Sequence, residues 1–452
     1  MNLSKTPAEF FKTMRCSKLF QPTNIVPKGL SESDNKLSLL SKSQKLLVDT
    51  GIMRQSSAGI YHLLPLGVRS MNKLKSLIRR YLSQIDAQEI KMPLIIDGTL
   101  WKKSGRWGIM GAEVFKITDR HGNDCILSPT NEESVTDLVA GLGQLSYHQL
   151  PFLLYQIASK FRDEIKPRCG LIRTKEFEMM DAYSFDESKE AAHYTYDRVA
   201  SAFENIFNHL DLPFIKVLAD PGNMGGEISH EYHLLSEVGE DKLKICETCS
   251  EGTNIELDSN TCFSCGSSSF RRVTGIEVGH TFLLGSRYSI PLECKFTNKE
   301  GKAQPLIMAS YGLGLTRILA SSLELLSTED RIIWPSAIAP FSVCVIPPKE
   351  GSKEWEVGST LSLEICRSLE KIVPGDVLVD DRCNQTIGKR LRHARRTGYP
   401  YIICVGKGVI GSPPLLELIC TASNSTEHVT LTELVKYFED PQLHTHKVLH
   451  SR

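Results

Sequence analysis

Apolar residues recur at helical spacing over 70–87, where Met71, Leu74, Ile78, Tyr81, Leu82 and Ile85 fall on one stripe. The same period predicts helices over 40–50, 187–210 and 315–326, the 187–210 helix turning Tyr194, Val199, Phe203, Ile206 and Leu210 inward. Strand patterns mark 89–93, 152–157, 214–219 and 275–284, and Pro93 at the close of the first suits a sheet edge open to a second subunit. Residues 51–67 read as a strand-and-turn segment. Strands in sequential pairs with helices outside predict an α+β unit with an antiparallel sheet. After Trp334 the texture changes. Strands over 341–346, 377–381, 401–405 and 415–421 alternate with helices over 353–369, 386–396 and 431–438. That alternation predicts a separate α/β domain of about a hundred residues, with its boundary near Ile338.

Composition narrows the picture. The chain has 452 residues, 41% hydrophobic and 23% charged, which excludes a disordered or fibrous protein. Its 53 basic and 53 acidic residues cancel, so a nucleic-acid surface must be a local patch. No apolar run approaches the ~20 residues a membrane span needs, so no membrane insertion is expected. Thirteen cysteines, an odd number, argue for reduced thiols. Residues 1–30 carry Lys5, Lys12, Arg15, Lys18 and Lys28 against the single acid Glu9, interleaved with Phe10, Phe11 and Phe20. This acid-poor, amphipathic character matches an organelle transit segment; the alternative is a frayed terminus.

The densest chemistry lies in KFRDEIKPRCGLIRTKEFEMMDAYSF, residues 160–185. Read as a hairpin, it sets Arg162 and Glu164 on one face, with Arg173 and Phe177 opening the returning strand. Such a set can neutralise a phosphate, accept from an exocyclic amine and stack on a base; the alternative is a salt-bridged, solvated hairpin. Gly312-Leu313-Gly314 reads as a turn before a helix whose Arg317 can reach a terminal phosphate. Thr130 and Glu132 sit at a helix start, either as capping residues or to receive an ammonium group. His280 and Phe282 share a strand. Cys246-x-x-Cys249 and Cys262-x-x-Cys265 are spaced to close a zinc site, or are four reduced cysteines in a loop. Lys389, Arg390, Arg392, His393, Arg395 and Arg396 crowd one helix after Asp381 and Arg382, as a solvated face or a phosphate track.

The FRDE hairpin, the RxxxF strand and the GLGLTR helix together resemble a class II aminoacyl-tRNA synthetase. LSPTNEESVTDL, the hairpin, GIEVGHTFLLG and GLGLTRILA, in that order, resemble the bacterial-type prolyl-tRNA synthetases over about 41–438. The resemblance implies a class II catalytic domain over 31–337 and an anticodon-binding domain over 338–452. Bacterial relatives carry a large editing insertion; here about forty residues join the flanking motifs, and 241–274 resembles its remnant. This compact variant resembles the mitochondrial form, which implies a matrix location and a transit segment over 1–30. The chain also departs from the bacterial pattern at Leu283 and Ser310. The implied activity is ATP- and Mg2+-dependent activation of L-proline and its transfer to tRNA(Pro), by a homodimer.

By the same resemblance, Arg162 holds the α-phosphate and the proline carboxylate, and Arg317 the γ-phosphate. Glu164, Arg173 and Phe177 complete the ATP site, while Thr130, Glu132, His280 and Phe282 receive proline. Asp381, Arg382 and Lys389 meet the anticodon. Synthetase-like folds also serve as non-catalytic accessory proteins, but those tend to lose the ATP-binding arginines retained here.

Overall fold

The computed structural model describes residues 13–23, 40–109, 111–143, 145–257 and 259–440. The polar hairpin is present: strand Phe152–Phe161 pairs antiparallel with Glu176–Asp186, placing Glu176 opposite Phe161. Ile307–Gly314 pairs with the other side of Glu176–Asp186, and the long strand Phe270–Gly285 follows it. Gln88–Glu89 joins beside Phe152–Phe161 as the outermost strand of this nine-stranded sheet. Beyond Phe270–Gly285 the pairings run in a closed circuit through Ile228–Leu235, Phe214–Leu218, Gly252–Asn254 and Asp241–Cys246.

Period-two alternation sorts the sheet into two faces. Met180 and Ala182 join the apolar core with Phe203, Phe207 and Leu319 of the covering helices Lys189–His209 and Leu315–Leu326. Met179, Asp181 and Tyr183, one residue out of step, line a cavity on the opposite face.

Four sequence expectations change. Helix Pro65–Ser83 begins before residue 70 because Pro65 occupies its first turn, where a missing N–H costs nothing. Tyr194 is exposed, since it lies five residues before Val199, about 140° round the helix. The glycine turn is instead a strand, Ile307–Gly314, running directly into the Leu315–Leu326 helix. Strand Ile228–Leu235 escaped the alternation pattern because its polar residues Glu231 and His233 face inward rather than toward solvent.

The second unit has six strands, in the order Met14–Arg15, Val377–Val379, Val343–Ile346, Tyr401–Cys404, Leu416–Cys420, Ser425–Val429. The first four pair in parallel and the last two antiparallel. The two units share a core: Phe341, Cys344, Ile402 and Cys404 belong to the same apolar cluster as Leu46, Leu74 and Leu319. Helix Pro65–Ser83 braces the junction, with Ser70 Oγ donating to the Ile338 carbonyl and Lys73 Nζ to that of Ala339, each at 2.6 Å.

The edge strand Met14–Arg15 lies within the 1–30 range read as a transit segment. It pairs with Leu378 and Val379, and Ser17 donates its N–H and hydroxyl to Asp381 at 2.8 and 2.5 Å. A segment that completes a sheet cannot be discarded without exposing that edge. Residues 1–12 of the transit expectation lie outside the described residues. A chain starting at Asn24 is expected to unfold about 1–3 kcal/mol more easily than one starting at Thr13, the scale of hydrogen bonds to a charged group. Denaturant titration checks this; equal midpoints would contradict it.

Candidate active site

The cavity measures about 360 Å3 and is walled by the hairpin, by the strand-to-helix junction at Gly314 and by the Phe270–Gly285 strand. Arg162 follows the last residue of strand Phe152–Phe161 and is held by its backbone N–H to the Lys175 carbonyl at 2.9 Å. Its guanidinium lies 5.3 Å from the centre of the Phe177 ring. Burial and the nearby positive charge of Arg317 push its pKa down. Arg317, in the first turn of its helix, is fixed by bonds to the Ile172 carbonyl at 3.0 Å and the Glu277 carbonyl at 2.7 Å. Two guanidiniums facing one space form a receptor for an extended anion.

Gly312 and Gly314 share that wall with Arg317. A Cβ at Gly312 would meet nothing closer than 3.8 Å, so packing alone does not require glycine there. The missing side chains leave the wall open to a ligand. Glu164 also lines the cavity and accepts from Arg173 Nε at 2.8 Å. Arg173 itself is outside the lining; it pairs with Glu240 as well and orients Glu164 from behind.

The other end is a buried acidic pocket. Thr130 Oγ1 donates to the Glu132 carboxylate at 2.7–2.8 Å, and both residues line the cavity. Arg106, fully buried, reaches Glu132 at 3.3 Å and Glu133 at 3.1 Å. Burial pushes the Glu133 carboxyl up while Arg106 pulls it down. Beneath lies a polar layer in which Asp181 accepts from Lys160 at 2.9 Å, Gln156 at 3.1 Å and Tyr183 at 2.8 Å. His280 stacks on Phe282 with ring centres 3.9 Å apart, and its nitrogens meet Ser229 Oγ at 2.6 Å and Glu277 at 2.9 Å. Burial alone would raise the Glu277 carboxyl, but His280 and Arg317 hold it well below the usual range.

The structure thus brings Arg162, Glu164, Phe177, Arg317, Thr130, Glu132, His280 and Phe282 to one cavity. Sequence reading missed Arg106, which sits in a four-residue helix outside any motif, and Asp181, Glu231 and Glu277. Glu277 was visible inside GIEVGHTF but had no assigned role. Leu283 is buried in the core, so the departure at that position does not touch the cavity.

The residues expected to meet the anticodon lie in the second unit. Asp381 is engaged by Ser17, and Arg382 forks onto Asp380 at 2.8 and 2.6 Å. Arg390 points inward to the Asp380 and Pro347 carbonyls. Lys389 is exposed, so the basic helix is only partly a solvent-facing surface. The four cysteine sulfurs converge, all within 4.8 Å of one another.

A family model described as "tRNA synthetase class II core domain (G, H, P, S and T)" matches residues 115–325, and one described as "Anticodon binding domain" matches 342–440. The human probable mitochondrial proline-tRNA ligase is 45% identical over 421 residues, covering 92% of this chain and 88% of its own. The chain belongs to the proline-tRNA ligase family. A bacterial member of that family, from Anaplasma phagocytophilum, is 35% identical and covers 93% of this chain and 99% of its own. Among solved folds, the Giardia lamblia prolyl-tRNA synthetase superposes with a TM-score of 0.74 at 19% identity, over 88% of this chain and 76% of that one.

Arg106→Met is expected to destabilise the protein by about 3–5 kcal/mol, because it leaves two carboxylates buried without their counter-ion. Urea unfolding reads the loss, and a change below about 1 kcal/mol would show that Arg106 does not neutralise the pair.

Proposed function

We propose that this chain activates L-proline with ATP and transfers it to the 3′ end of tRNA(Pro), with the cavity described above as its active site. The observation that carries this reading is the convergence of Arg162 and Arg317 on one cavity whose far end is the Thr130–Glu132 acid pocket. A zwitterionic amino acid and a triphosphate need that polarity: an acid for the ammonium and cations for the phosphates.

The chemistry asks mainly for alignment. A proline carboxylate is already ionised at neutral pH, so it attacks the α-phosphorus without a general base, and pyrophosphate leaves. Arg162 lies between both reactants, holding the carboxylate and offsetting charge that grows on the α-phosphoryl oxygens. Arg317 holds the far phosphate, Phe177 stacks on the base and Glu164, oriented by Arg173, accepts from the adenine amine. Glu132 takes the secondary ammonium, whose two N–H donors match a carboxylate paired with Arg106. His280 and Phe282 wall the ring.

Glu277, which lines the cavity, would supply a carboxylate oxygen to Mg2+, whose charge would offset that of the phosphates. The four thiols fit zinc. The unit from about 338 onward is read as the anticodon-binding domain, with the exposed Lys389 and its neighbours as the tRNA-facing part. A homodimer is supported by the outermost strand Gln88–Glu89 beside the exposed Leu94 and Ile95. A mitochondrial matrix location is supported by the mitochondrial relatives and the basic, acid-poor composition of residues 1–30.

Arg162→Ala is expected to lower proline-dependent ATP/pyrophosphate exchange by about 100-fold or more while leaving the unfolding midpoint no lower than that of the unaltered chain. Near-normal exchange would overturn its role. Replacing Leu94 and Ile95 by aspartate should shift sedimentation from dimer to monomer, and a monomeric unaltered chain would contradict the dimer. Protease protection within intact, outer-membrane-stripped mitochondria checks the matrix location; digestion of the chain would refute it.

A further inference from the structure

The four-cysteine cluster lies outside the cavity, yet it anchors a strand that reaches it. Each CxxC pair is followed by a residue in the left-handed region, Ser250 at φ 64° and Gly266 at φ 73°. In each turn that residue's N–H bonds back to the carbonyl of the first cysteine, Cys246 or Cys262, at 2.9 Å. Backbone N–H groups of Thr248 and Cys249 face the Cys246 sulfur, and those of Ser264 and Cys265 face the Cys262 sulfur.

The sulfur spacing selects between the possible states. Cys246 and Cys265, like Cys249 and Cys262, are 3.5 Å apart. A disulfide needs ~2.05 Å, whereas four sulfurs at ~2.3 Å from a tetrahedral zinc are roughly 3.8 Å apart. Two like turns with convergent sulfurs match a closed structural site.

From this cluster the chain passes directly to the substrate pocket. Strand Gly252–Asn254 begins three residues after Cys249 and closes the circuit of strands by pairing with Asp241–Cys246 and Phe214–Leu218. Its last residue donates Asn254 Nδ2 to Glu231 at 2.9 Å. Glu231 lines the cavity, also accepts from His233 Nε2 at 2.8 Å, and lies 3.9 Å from His280 Nδ1.

We propose that the four cysteines hold one zinc ion that fixes the Gly252–Asn254 strand, so that Asn254 positions Glu231 and, through it, His280. Asn254 is then a positioning residue for the amino-acid end of the cavity, which rests on the proline-activating reading above.

The test uses the full chain. Elemental analysis should find about one zinc per chain, and protein produced with cobalt in place of zinc should show thiolate-to-cobalt charge-transfer absorption. Asn254→Ala should keep its zinc and raise KM for proline about tenfold, with KM for ATP unchanged, the worth of one hydrogen bond to a charged acceptor. Cys262→Ser should lose zinc and show the same split; should it fail to fold, Asn254→Ala and the cobalt spectrum decide. A chain that binds no metal, or iron in place of zinc, overturns the proposal, as does an unchanged proline KM in Asn254→Ala. Metal content is read without activity and exchange by the unaltered chain without any metal variant, so this inference and the functional reading can fail separately.

Discussion

Two guanidinium groups directed into one half-buried cavity repel each other, and an empty site of that kind is a standing electrostatic cost. The fold around Arg162 and Arg317 is arranged to hold that repulsion in place. Arg162 is fixed at the end of a ten-residue strand, and Arg317 by two backbone carbonyls and a carboxylate from three directions. Arg317 cannot swing away without breaking those bonds. An anion bound between the two guanidiniums would relieve that repulsion.

The same logic, with the sign reversed, governs the opposite end. Glu132 and Glu133 are adjacent buried acids that a single arginine must neutralise, and Arg106 does so with no exposure of its own. Below them, Lys160 balances Asp181, and the hydroxyl of Tyr183 joins that carboxylate to the Asn131 backbone. Each charge has its partner on a different element, so the pocket persists only while the sheet, the Glu132–Gly141 helix and the short Arg106–Ile109 helix stay in register.

Much of this was legible beforehand because motif residues and the sheet's alternation coincide. Arg162, Glu164 and Phe177 belong to one hairpin whose polar spacing is local, and local spacing can be read from sequence. Arg106 could not be, since its role depends on tertiary contact with residues 26 and 27 positions away. Strand Ile228–Leu235 was hidden for a related reason: its inward face carries Glu231 and His233, which breaks the apolar pattern that marks a buried strand. Ser17 meets Asp381 across 364 positions, a contact that no local spacing announces. Basic, acid-poor composition reports on a segment's character but not on where a leader stops and a strand begins.

The central claim is that one cavity, cationic at its phosphate end and acidic at its amino end, selects proline and joins it to ATP. ATP/pyrophosphate exchange by the full chain, measured across all twenty amino acids, tests it most directly. The account predicts exchange with proline well above that with any other amino acid. Exchange driven equally by alanine or threonine, or absent with proline altogether, would contradict it.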